Sequence, residues 1–124
     1  MKYWYFGNLG QFTYNLKQSD KYLVEAKTLF EYKQYFLGMN ALDKSNLYFI
    51  NTLPYLSKAK LEYKDINKSR NVLSEAILKH VDVLMQLEKD VPVVFIWSPE
   101  KSTSTTLEIK KTIDRSITVR QNYL

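Results

Sequence analysis

Between Phe12 and Lys17 apolar and polar positions alternate, with Phe12, Tyr14 and Leu16 set against Thr13, Asn15 and Lys17. A period of two is the pattern of a half-buried strand, so a first strand is predicted over residues 11–17. Ser19-Asp20 then offers side-chain oxygens to the free amides of a helix start. Leu23, Ala26, Phe30 and Lys33 follow at helical spacing, predicting a first helix over residues 20–35. Gly38 is expected to stop that helix, because a residue without a β-carbon tolerates a left-handed backbone. Leu47-Tyr48-Phe49-Ile50 is rich in strand formers and predicts a second strand ending near Leu53, since Pro54 has no amide to donate. Beyond a basic loop through Lys58, the charged Lys60, Glu62 and Lys64 alternate with Leu61 and Tyr63, which predicts a third strand from about Ala59. Ser74-Glu75 opens a second helix whose apolar stripe is Ile77, Val81, Leu84 and Leu87, ending at Lys89-Asp90. Residues 91–97 are apolar on both faces and predict a fourth, covered strand.

The order strand, helix, strand, strand, helix, strand predicts an α+β ferredoxin-like plait: a four-stranded antiparallel sheet with two helices on one face and a long hairpin between strands two and three. The plait takes residues 11–97, after an N-terminal extension over 1–10 and before a basic C-terminal extension over 98–124. In that last segment Leu107, Ile109, Ile113 and Ile117 stand beside Lys110, Lys111, Arg115 and Arg120. The pattern fits a helix through Ile109, Ile113 and Ile117 and fits two short strands nearly as well.

Composition narrows the class. A chain of 124 residues, 45% hydrophobic and 25% charged, matches one ordinary globular domain. No run approaches the ~18 apolar residues of a membrane-spanning helix. The aromatic start Met1-Lys2-Tyr3-Trp4-Tyr5-Phe6-Gly7 lacks the character of an import presequence or a signal peptide. With no cysteine there is no disulfide framework and no thiolate metal site. Eighteen Lys and Arg against thirteen Asp and Glu leave a net charge of +5, which favours an anionic partner.

Candidate chemistry is sparse. His80 is the only histidine and has no second imidazole or cysteine to complete a metal site, so a structural or surface role fits it best. Glu62, Asp65, Glu75, Asp82, Glu88 and Asp90 are scattered singly, mostly beside lysines, and suggest no acid–base pair. Gly7, Gly10 and Gly38 form no glycine-rich phosphate loop. No enzyme and no cofactor is expected. Lys58, Lys60, Lys64, Lys68 and Arg70 cluster on the turn and strand after Pro54, where they fit phosphate neutralisation and fit a solvated strand face equally well. Phe12, Tyr14, Phe49 and Phe95 could stack bases, but in strands core packing is their default role. The glycine-flanked aromatic signature of the common single-strand RNA-recognition plait is absent.

Over residues 11–96 the order of elements and the residues at their ends resemble the universal small-subunit ribosomal protein ten family. The resemblance is carried by Leu16-Lys17-Gln18-Ser19-Asp20 with Tyr22-Leu23-Val24, by the segment from Gly38 through Asp43-Lys44, by Leu47 to Leu53 with Pro54 and Lys58, by Leu61-Glu62-Tyr63-Lys64, and by Val81-Asp82-Val83-Leu84-Met85-Gln86-Leu87 with Val91, Val93 and Ile96. It departs from the family in lacking prolines after Gly38, in a shorter hairpin, and in Ile66-Asn67-Lys68-Ser69-Arg70 where a basic run is usual.

The resemblance implies a structural constituent of the small ribosomal subunit head, binding ribosomal RNA and neighbouring head proteins and supporting assembly and translation. Carried onto this chain, the RNA-binding residues are Lys44, Lys58, Lys60, Lys64, Lys68 and Arg70. Divergence with heavy use of Lys, Asn, Tyr, Phe and Ile suggests a mitochondrial ribosome, with a bacterial cytoplasm as the alternative. The tail is then expected to dock on a neighbouring protein or RNA. Two other readings stand beside this one. A free-standing plait would bind single-stranded RNA on its sheet. A helical protein-interaction module would arise if residues 33–61 form amphipathic helix rather than strand, and a near-absence of sheet would favour it.

Overall fold

The computed structural model describes residues 7–62, 65–98 and 104–123. These form α1 (Gly7–Glu31), α2 (Tyr35–Leu61), α3 (Asn67–Asp90), β1 (Phe95–Trp97), β2 (Thr105–Leu107) and α4 (Ile109–Gln121). The ferredoxin-like plait is therefore not the fold: the described residues hold four helices and one two-stranded antiparallel sheet. The predicted first strand lies inside α1, the second inside α2, and the start of the third in the last turn of α2, with Tyr63 and Lys64 outside the described residues. The second predicted helix is α3, begun seven residues earlier than Ser74. Of the predicted fourth strand only β1 is sheet, and Val93, Val94 and Ile96 are exposed rather than covered. In the C-terminal segment Ile109, Ile113 and Ile117 lie on a helix, α4, preceded by the single short strand β2 rather than forming two strands.

The reason lies in which residues occupy the inward helical positions. In α1 the buried set Phe12, Leu16, Ser19, Leu23, Ala26 and Phe30 recurs at four, three, four, three and four, one continuous face of a helix. In α2 the set Leu42, Ser45, Phe49, Thr52, Leu56 and Ala59 recurs at three, four, three, four and three. Ser19, Ser45 and Thr52 interrupt these stripes with polar side chains although each is fully buried. Their hydroxyls are satisfied within the helices and across them: Ser19 Oγ donates to the Ser45 carbonyl at 2.9 Å, Ser45 Oγ to the Ser19 carbonyl at 2.7 Å, and Thr52 Oγ1 to the Phe49 carbonyl at 2.6 Å. Small residues that hydrogen-bond where α1 and α2 cross hide a helical period from a count of apolar positions.

α1 and α2 form an antiparallel hairpin, since Asn8 bonds Glu62 at 2.5 Å, Ser19 meets Ser45 in the middle, and Phe30 packs on Tyr35 beside the turn. Lys33, not Gly38, closes α1. It adopts φ 62°, and Lys33 N–H and Gln34 N–H donate to the carbonyls of Phe30 and Leu29 at 3.0 and 2.8 Å, the paired bonds of a Schellman ending. Gly38 instead sits buried in the first turns of α2, where an added β-carbon would lie 2.9 Å from the Phe30 ring. Pro54, which limits a strand, is an exposed residue within α2; its missing amide leaves the Ile50 carbonyl without its helical donor on the solvent side.

α3 and α4 cover one side of the hairpin. Their apolar faces, Leu73, Ile77, Val81, Leu84 and Leu87 with Ile109, Ile113 and Ile117, join the same core as Phe12, Leu23, Leu42 and Phe49. β1 pairs with β2 in the register Phe95↔Leu107, Ile96↔Thr106 and Trp97↔Thr105. The sheet rests on the α1–α2 turn through aromatic contacts, Trp97 stacked on Phe36 at 4.0 Å and Phe95 against Tyr35 at 4.9 Å.

Candidate anion-binding face

The most unusual group in the interior is Arg120, fully buried on α4. Its Nε–H donates to His80 Nδ1 at 2.9 Å, Nη1 to Asn46 Oδ1 at 2.6 Å and to the Ser116 carbonyl at 3.1 Å, and Nη2 to Ser45 Oγ at 2.9 Å. The guanidinium lies over the Phe49 ring at 5.1 Å. His80 Nε2 in turn meets the Asp20 carboxylate. Because arginine only donates, His80 Nδ1 is the acceptor and the imidazole proton sits on Nε2, facing Asp20. One chain of bonds thus joins Asp20 on α1, Ser45 and Asn46 on α2, His80 on α3 and Arg120 on α4. Burial pushes Arg120 down to about 10, with the Asp20 charge opposing, so it remains a cation at neutral pH. Both imidazole nitrogens are engaged and His80 is buried, which makes this a structural tie with no nitrogen left to serve as a base.

Two acidic groups are displaced in the same region. Asp43 is raised by desolvation, with Arg115 opposing. Glu88 is raised by its side-chain hydrogen bond to Asp114, then by burial and by the Asp114 charge, with Lys110 opposing. Glu88 Oε2 is shut off from solvent and has no hydrogen-bond donor among the described residues. A carboxyl raised by folding adds stability that is full at acid pH and is lost as pH rises through its folded value. Glu88→Gln is therefore expected to flatten the decline in urea midpoint between mildly acid and neutral pH; an unchanged slope would remove the pair as its source.

The opposite side of the α1–α2 hairpin carries a different population. α3 approaches α1 along Leu16, Asp20, Leu23 and Val24, lining a 340 Å³ cleft, and α4 meets α2 at Ser45, Asn46 and Phe49. The remaining rows are Gln18, Tyr22 and Glu25 on α1, and Lys44, Tyr48, Asn51, Tyr55 and Lys58 on α2 at spacings of four, three, four and three. Tyr22 and Tyr48 stack across the hairpin with ring centres 5.6 Å apart and planes 5° from parallel. Lys21 and Lys44 hold their ammonium groups 5.3 and 5.4 Å from the Tyr22 centroid, and Lys58 lies 5.5 Å from that of Tyr55. Each such contact orients a flexible lysine without neutralising it.

The residues expected from the sequence to bind RNA are divided by this fold. Lys44 and Lys58 share the open row. Lys60 ends α2, while Lys68 and Arg70 begin α3, so these three gather at one end of the bundle; Lys64 lies outside the described residues. Lys58 and Lys60 complement the negative end of the α2 dipole. Lys68 and Arg70 oppose the dipole of α3, whose first turn holds no acid, so helix stability does not account for them. Lys21, Tyr22, Tyr48 and Tyr55 were not legible as a group, because a strand reading of residues 47–53 hides the row that Tyr48 and Tyr55 share. Helical spacing of seven between them is the signal that finds it.

Among the described residues no group of acidic and histidine side chains is placed to hold a metal, and no helix is long and apolar enough to cross a membrane. No protein-family model, curated protein or solved structure matches this chain.

Proposed function

We propose that this chain is a non-catalytic helical binding module that docks an anionic macromolecule on the open face of its α1–α2 hairpin. The observation that carries the reading is the Tyr22–Tyr48 stack with the ammonium groups of Lys21 and Lys44 on it, continued by Tyr55 and Lys58. Lysines oriented on aromatic faces present fixed positive charge, and tyrosines supply contact area at low conformational cost. The basic end made by Lys60, Lys68 and Arg70 extends the positive surface beyond the row. This keeps the phosphate-neutralising role expected of Lys44 and Lys58 and moves it from a β-hairpin to a helical one. The likeness to ribosomal protein ten lends no support here, because the residues that carry it at Leu16-Lys17 and Leu47–Leu53 lie on helices rather than on the strands the family would require.

The test is retention on immobilised polyphosphate across a salt series. Lys21→Gln/Lys44→Gln/Lys58→Gln is expected to elute at lower salt and to reduce the slope of log affinity against log salt by about one unit per lost phosphate contact. Lys27→Gln/Lys79→Gln, changed on the other side of α1 and on α3, is the control and should elute with the unaltered chain. Equal retention of all three proteins would refute the assignment of the face.

A further inference from the structure

We infer that the partner on this face is a single-stranded nucleic acid, its bases stacking on Tyr22, Tyr48 and Tyr55 and its phosphates meeting Lys21, Lys44 and Lys58; the inference rests on the binding role proposed above. Charge alone would serve an acidic protein as well, so the weight falls on the aromatic groups. Tyr22 and Tyr48 are half-buried with planes 5° from parallel, each covering one face of the other, so a base reaches their outward faces, that of Tyr22 by displacing the Lys21 and Lys44 ammonium groups. Tyr55 follows Tyr48 by two helical turns, about 10 Å along α2. Lys44 and Lys58 bracket these rings and stand about 21 Å apart by helical rise, a span suited to several nucleotides rather than to one bound phosphate.

Asn51 stands between Tyr48 and Tyr55 on α2 and Gln18 one turn before Tyr22 on α1, amides that both donate and accept and suit the mixed edges of unpaired bases, with Glu25 the one carboxylate in these rows. A carboxylate surface would have only acceptors to meet them. Duplex is disfavoured by the same features: its bases are stacked on each other and unavailable to tyrosine, and this face is two flanking helices rather than one helix projecting into a groove. The tyrosines also separate the two contributions experimentally, because stacking is nearly independent of salt whereas phosphate neutralisation is not.

The test uses the full chain and fluorescence anisotropy with labelled twelve-nucleotide oligo(U) and oligo(dT), a hairpin duplex of equal charge, and polyglutamate as competitor. Tyr22→Leu/Tyr48→Leu keeps apolar bulk where the rings pack and is expected to weaken both single strands at least tenfold while lowering polyphosphate retention far less than the lysine triple variant does. Tyr55→Leu, which disturbs no stack between helices, is expected to weaken them severalfold and guards against misfolding of the double variant. Tighter binding of oligo(U) than oligo(dT) would support the inference with RNA as the preferred strand; equal binding would support it for either backbone. Duplex or polyglutamate bound as tightly as the single strands, or single-strand affinity indifferent to the tyrosines while the lysine triple variant still loses polyphosphate, would overturn the nucleic-acid partner and leave the anion-binding role standing. Loss of neither ligand in any variant would overturn both.

Discussion

Arg120→Met is expected to lower the unfolding free energy by about 3–5 kcal/mol, the range for removing one member of a buried charged network. The substitution leaves His80 Nδ1 and Asn46 Oδ1 without their donor and takes one bond from Ser45 Oγ, with His80 and Ser45 buried and Asn46 partly so. It also uncovers the Phe49 ring, over which the guanidinium lies. In a domain whose total stability is about 5–15 kcal/mol, that loss brings the chain close to unfolding at 37 °C. Arg120→Lys should recover little, because an ammonium cannot reproduce the planar fork that reaches three helices at once. The mechanism makes a second demand. His80→Leu/Arg120→Met removes acceptor and donor together and should cost less than the two single changes added, a favourable coupling measurable by a double-mutant cycle in urea. Additive losses would mean that the bonds between α3 and α4 contribute nothing as a network.

The second large effect is expected at Gly38. Alanine is the better helix former by about 1 kcal/mol, so Gly38→Ala in an ordinary helix stabilises. Here its β-carbon would come within 2.9 Å of Cδ1 and Cε1 of Phe30, a ring that is itself buried on α1. Overpacking of this kind costs about 1–3 kcal/mol, which outweighs the gain in propensity. Gly38→Ala is thus expected to lower the urea midpoint, and Phe30→Leu in the same chain to relieve the clash, so that alanine at 38 becomes stabilising in that background. Stabilisation by Gly38→Ala alone would show that the hairpin ends do not approach as closely as described.

These two positions also mark how much of the structure the sequence discloses. α3 is legible because Ile77, Val81, Leu84 and Leu87 are all aliphatic and repeat at helical spacing. The hairpin is not, because its core positions include Ser19, Ser45 and Thr52, whose burial is made tolerable by bonds that a count of apolar positions does not show: across the hairpin for Ser19 and Ser45, and to the Phe49 carbonyl three residues back for Thr52. Phe12, Tyr14 and Leu16 alternate by coincidence: Phe12 and Leu16 face the core while Tyr14 faces outward. Gly38 reads as a stop by its freedom of backbone and is used instead for its lack of a side chain, while the left-handed stop falls on Lys33, which has no such signal. From the sequence Arg120 belongs to a basic extension, since nothing local to α4 reveals that His80, Asn46 and Ser45 converge on it. On the binding side, charge singles out Lys58, and the resemblance adds Lys44. Their partners Tyr22, Tyr48 and Tyr55 emerge only once α1 and α2 are placed side by side.

That juxtaposition is tested most directly by an amide NMR titration of the full chain with inorganic polyphosphate. Binding on the open face predicts shift changes concentrated over residues 18–25 of α1 and 44–58 of α2, saturating together, with the backbone of β1, β2 and α4 undisturbed. Changes confined to Val72, Glu75, Ala76 and Lys79 on the α3 wall of the α1–α3 cleft, or to the Phe95–Trp97 strand, would contradict it and move the site off this face.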